Sequence, residues 1–161
     1  MQRNFLKEVS AYKNLTSIQG SVLPKLLGVF NVLESPTREL EEDRSVNVIV
    51  DEYIKGPSLE ELMPDLKYHD PKYVNTLLKN VYGALDSIHE LGVVHQNCHP
   101  AKFILKKGWI EGKSVKSVGI IDFTKSERQE NCEKDLAEKL KDRDIGDVTD
   151  QFLRVGPEIS D

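Results

Sequence analysis

Three observations predict an α+β chain. From Pro71 to Leu91, apolar residues recur at Val74, Leu77, Val81, Leu85 and Ile88, the spacing of one helix face. Val46 to Val50 is a β-branched run, the composition of a strand. Two short apolar stretches, 103–105 and 117–121, flank Lys106 to Lys116, where Gly108 and Gly112 supply turn residues, and so predict a β-hairpin.

The remaining elements follow in chain order. Asn4 to Leu15 carries Phe5, Val9 and Tyr12 on one face and is expected to be helical over 5–15. A small antiparallel sheet is expected after it, from the Leu23 to Val29 segment and the 46–50 run. The stretch between these strands, Glu34 to Arg44, is acidic and turn-prone and reads as an exposed loop. Ser58 with Glu61 three residues later is a capping-box start for a helix. Gly92 is placed to end the long helix 72–91. In the charge-dense tail, Glu133 to Lys141 has a helical pattern around Leu136 and Leu140. Phe152, Leu153 and Val155 suggest a second short packing segment, and residues 156–161 are expected to fray.

Composition narrows the class. With 161 residues, 39% hydrophobic and 30% charged, the chain is expected to form one ordinary globular domain. It holds no apolar run of membrane-spanning length and no apolar leader core, so a cytoplasmic protein that does not engage a membrane is expected. Two cysteines, Cys98 and Cys132, cannot build a disulfide framework. The net charge of −5 argues against broad nucleic-acid binding, tRNA alone being left open. Lys106, Lys107, Lys113 and Lys116 form a local basic group, read as solvated strand ends around a hairpin.

The run His95-Gln96-Asn97-Cys98-His99-Pro100-Ala101-Lys102-Phe103-Ile104-Leu105, followed by Ile120-Ile121-Asp122-Phe123-Thr124, carries a resemblance. It resembles the H-R-D-x-K-P-x-N catalytic loop and the D-F-G segment of the protein-kinase-like fold, in register but with selected positions changed. Glu8 to Leu15 is similar to the C-helix of small-molecule kinase-like families, and Asp51 to Gly56 to the hinge. The resemblance covers roughly Asn4 to Thr124 and implies a partial, truncated kinase-like domain. Residues 1–55 would be a small-lobe remnant, 56–124 the large-lobe core and 125–161 a charged tail. A chain that starts at the C-helix is expected to lack the Gly-rich loop and the strand bearing the nucleotide-contacting lysine.

The changed positions are chemical ones. Asn97 stands where the resemblance places the catalytic Asp; an amide can orient a hydroxyl but is no base near neutral pH. His99 stands at the Lys position, where it is either a base or a hydrogen-bonded loop residue. Lys102 replaces the metal-binding Asn, and a cation cannot ligate Mg²⁺; it is expected to pair with Asp122, the one metal-binding position retained. Thr124 replaces the Gly after Asp-Phe. His95 is read as architectural, Glu8 as the C-helix carboxylate, and Glu52 and Ile54 as hinge contacts to a nucleotide. Histidines 95 and 99 with Cys98 and Cys132 lack the spacing of a zinc site, so no metal centre is expected, and Cys98 is read as a buried, inert thiol.

These substitutions lead to the expectation of a catalytically degenerate binding or regulatory module, a pseudokinase whose cleft holds a protein partner or a small molecule. Two alternatives stand beside it: a repurposed transferase moving an acyl or aminoacyl group with Asn97, His99 and Asp122, or weak residual ATP-dependent phosphotransfer. No cofactor is expected beyond weak binding of ATP with Mg²⁺.

Overall fold

The computed structural model describes residues 2–33, 45–66, 70–106 and 117–155. The expected Glu34 to Arg44 loop, most of the Lys106 to Lys116 connection with its basic group, and the 156–161 end lie outside them. The elements in order are α1 (Gln2–Asn14), β1 (Leu26–Leu33), β2 (Ser45–Asp51), α2 (Leu59–Leu66), α3 (Pro71–Glu90), β3 (Val93–Val94), β4 (Phe103–Leu105), β5 (Val118–Ile120), β6 (Glu127–Arg128) and α4 (Lys134–Val155). They make a mixed α/β fold with three two-stranded antiparallel sheets: β1 with β2, β3 with β6 and β4 with β5. No helix among the described residues is long and apolar enough to cross a membrane.

The long helix α3 organises the core because its sequence keeps one apolar stripe. Val74, Leu77, Val81, Leu85 and Ile88 are all buried and belong to one cluster with Tyr12, Leu59, Phe103, Ile120 and Phe123. Its start is set by Asp70, whose carboxylate accepts the Lys72 N–H at 2.8 Å, with Pro71 at the first helical position. Its end is set by Gly92, which adopts φ 77 just after the helix, a conformation that costs a side-chain-bearing residue more than glycine. At α2, Ser58 Oγ accepts the Glu61 N–H at 3.2 Å and Glu61 returns the bond to the Ser58 N–H at 2.7 Å, a reciprocal capping box.

The hinge-like stretch after β2 packs against the β4–β5 hairpin. Leu105 N–H donates to Pro57 O at 2.8 Å, and a Cβ built on Gly56 would overlap the Leu105 carbonyl. The hairpin register is Phe103 to Ile120, Ile104 to Gly119 and Leu105 to Val118, so both ends of the loop-bearing unit are fixed beside α3.

The tail departs from the sequence reading. In place of a short helix and a separate packing segment, one helix, α4, runs from Lys134 to Val155. It buries Ala137, Asp144, Val148 and Phe152. The apolar spacing is too sparse to reveal it, since its buried face is interrupted by an aspartate whose partners are distant in sequence. Helix α1 is also displaced by about a turn end from the expected 5–15, beginning at Gln2.

Candidate active site

The candidate site forms where the loop from His95 to Lys102, after β3, meets the residues after β5. His95 is fully buried and orders both. Its Nδ1 accepts the Asn97 N–H at 3.2 Å, which leaves Nε2 to donate to Ile121 O at 3.1 Å. Its ring packs edge-on against Phe123 with centroids 4.9 Å apart. Burial outweighs the nearby carboxylates and holds its pKa below the ordinary histidine value, consistent with a neutral ring in that tautomer.

Asp122 is the centre of the cleft. It adopts φ 65, a left-handed conformation in which few residues other than glycine sit. Oδ2 lies 2.6 Å from Lys102 Nζ and 3.4 Å from Asn97 Nδ2. Oδ1 accepts the Thr124 hydroxyl at 2.5 Å and the Thr124 N–H at 3.3 Å. Burial alone would raise its pKa, but the bonds from Lys102 and Thr124 together hold it below the usual carboxylate value. Both side chains of the ion pair are about a quarter exposed, at 27% and 26%.

Glu8 on α1 looks into the same region. Burial, and after it repulsion from Asp122, raises its pKa; the Phe123 N–H and Lys102 pull the other way. Lys102 is thus ion-paired with Asp122 and acts on Glu8 only through space, as the weakest of the influences on it. Next to Glu8, the Tyr12 hydroxyl donates to Asp51 Oδ2 at 2.8 Å, tying α1 to the end of β2.

His99 stays outside this group. Its Nδ1 accepts the Ala101 N–H at 3.3 Å and faces Glu60 at 3.6 Å, with half its side chain in solvent. It caps the 3-10 turn Pro100–Lys102 that presents Lys102. At the hinge, the Glu52 N–H donates to Lys25 O at 2.9 Å and its carboxylate accepts the Lys25 N–H at 3.2 Å. Ile54 is half-buried against Gly119. Cys98 is 1% exposed, and burial pushes its thiol pKa far up.

One residue that positions the site has no signature in the sequence. Asp144 on α4, fully buried, accepts the His95 N–H at 2.8 Å, the Gln96 N–H at 2.7 Å and a bond from His89 Nε2 at 3.1 Å. Gln96 itself sits at φ 60, so Asp144 fastens the loop through a strained residue. Burial opposes ionisation of Asp144, yet these bonds together lower its pKa. Its distance in sequence, 49 residues from His95, left no local pattern to find it by.

The family model of Kdo, the lipopolysaccharide kinase (Kdo/WaaP) family, matches residues 7–151. None of the curated proteins compared matches the chain. The family match overturns the expectation of a catalytically degenerate binding or regulatory module, because the family is one of kinases; the acyl or aminoacyl transferase alternative falls with it. The match also runs beyond Thr124 into α4 and takes in the anchor Asp144. It spans every element that builds the cleft, from Lys7 of α1 to Gln151 of α4, and the chain belongs to the lipopolysaccharide kinase (Kdo/WaaP) family.

Proposed function

We propose that this chain transfers the terminal phosphoryl group of a nucleoside triphosphate to a sugar hydroxyl, with Lys102 as the cation of the site. Family membership supports the reaction class and the acceptor class. The observation that carries the assignment of roles is Lys102 held at 2.6 Å from Asp122 beside Asn97.

A kinase of ordinary design uses Mg²⁺ on a carboxylate and an amide. The donor set here does not fit that pair of ions. Lys102 fills the amide position, both oxygens of Asp122 already have partners, and the described residues hold no group of three or more His, Cys, Asp or Glu placed for a metal. The chemistry is therefore derived from the side chains alone.

The Lys102 ammonium neutralises charge on the phosphoryl oxygens, the task for which lysine and metal clamps are interchangeable in principle. Asp122 keeps that ammonium in the cleft. The Asn97 amide orients the acceptor hydroxyl. The hydroxyl oxygen forms its bond to the terminal phosphorus as the bond to the bridging oxygen breaks, and the electron pair leaves with the nucleoside diphosphate. Neither Asn97 nor the acidified Asp122 is a strong base, so the hydroxyl proton passes to an oxygen of the transferred group. A loose transition state tolerates such late proton loss.

The test is transfer of radiolabel from terminally labelled ATP to lipopolysaccharide by the purified chain, with Mg²⁺ and with EDTA. Label transfer that persists in EDTA and drops at least tenfold in Lys102→Met supports the reading. Absence of transfer under both conditions refutes it.

A further inference from the structure

Adjoining the candidate site is a polar cavity of about 450 Å³ lined by Arg3 and Lys7 of α1, Gln96 of the catalytic loop, Thr124 and Lys125 after β5, and Arg143 of α4. Four of its lining residues are cationic and none of the described ones is a carboxylate, although the chain as a whole carries a net charge of −5. Some of that charge is already answered. Lys7 Nζ pairs with Glu127 at 2.7 Å, and Arg143 Nε lies 3.7 Å from Asp147. Among the described residues Arg3 and Lys125 have no ion-pair partner.

The walls are held independently of any ligand. Gln96 and the backbone next to Arg143 are joined through the buried Asp144, and the Lys7–Glu127 pair ties α1 to β6. A concentration of positive charge on pre-positioned walls favours an anion, because binding then requires little reorganisation. Arginine forks and lysine point charges together suit the several oxygens of a phosphoryl group. The volume exceeds that of a lone phosphate and falls within the range of small-ligand sites.

We infer that this cavity is a second anion site, separate from the Asp122 cleft, which binds the phosphoryl group of a small phosphomonoester. Inorganic phosphate shares that chemistry, so the experiment separates the two sources.

Calorimetric titration of the whole chain with inorganic phosphate, with a hexose phosphate and with the unphosphorylated hexose is the test. Saturable binding of the first two and none of the third is expected. Tighter binding of the hexose phosphate identifies a phosphomonoester site; equal binding identifies free phosphate as sufficient. Arg3→Ser with Lys125→Ser should weaken binding about tenfold for each cation removed. Both residues are exposed, so folding should survive. Arg143→Gln, on a different element, provides a second variant with the same expected direction, and Lys79→Ser, an exposed cation on α3, should change nothing. Lack of saturable binding, or binding unaltered in the cavity variants, overturns the inference. So does binding lost in Lys102→Met but kept in the cavity variants, which would put the phosphate in the Asp122 cleft. The proposed phosphotransfer is read by label transfer and can fail without touching this result.

Discussion

The carboxylate of Asp144 on α4 accepts the backbone N–H of His95 at 2.8 Å, across 49 residues of chain. Through that bond and its neighbour to Gln96, the last helix determines the shape of the loop that presents Asn97 and Lys102. Removing the carboxylate strands one buried backbone donor, that of His95, and one part-buried, that of Gln96. Asp144→Ala is expected to cost about 3–5 kcal/mol, the range for breaking a buried charged network, measured by urea unfolding. An effect under about 1 kcal/mol would show that the loop holds itself.

The same residue predicts an acid dependence. Its folded pKa lies below the unfolded value, so its contribution is fully present above about pH 4 and is lost as the pH falls through the lower, folded value. Asp122 acts in the same direction. Stability of the native chain should therefore decline below about pH 4, and Asp144→Asn should decline less steeply there when the two are compared by thermal melts across an acid series.

Glu8 carries the opposite sign. Its folded pKa is raised, so ionisation at neutral pH costs the fold stability that is present in acid and lost as pH rises from the unfolded towards the folded value. Glu8→Gln should raise the melting temperature at pH 7 and leave it nearly unchanged in acid. A lower melting temperature at pH 7 would mean that attraction to Lys102 outweighs burial.

For the cleft pair, Lys102→Ala removes the partner of a carboxylate that is only partly buried. The expected loss is about 1–3 kcal/mol, between the surface and buried cases. Asn97→Ala, which removes a long 3.4 Å contact, should barely change stability. Lys102→Asn places an amide oxygen beside a freed Asp122 and should bind Mg²⁺ more tightly than the native chain, read by calorimetric titration of both with the metal alone.

Thiol labelling checks the packing of the loop. Cys98, almost fully buried with its thiol pKa far raised, should resist iodoacetamide in the folded chain, while the partly exposed Cys132 reacts. Equal labelling of both would place Cys98 at the surface.

Local regularities in the sequence determined the elements. The apolar stripe of α3, the Ser58–Glu61 box, Gly92 and the apolar ends of the β4–β5 hairpin each act within a few residues, so their patterns are visible in one dimension. The resemblance carried by the run from His95 to Leu105 and by the Asp122 segment was likewise visible there, because motif spacing is a local property. What only the tertiary structure decided depends on groups far apart in the chain. The continuity of α4 rests on burying Asp144 against His89 and the loop, and a lone aspartate in a charged helix carries no sign of that. His99 uses its Nδ1 to accept the Ala101 N–H and leaves half its side chain in solvent, while Asn97 and Lys102 meet on Asp122. The gathering of Arg3, Lys7, Lys125 and Arg143 around one cavity follows from the packing of α1, α4 and the segment after β5. Electrostatics acts through space, so charges scattered along an acidic sequence can still concentrate at one place in the fold.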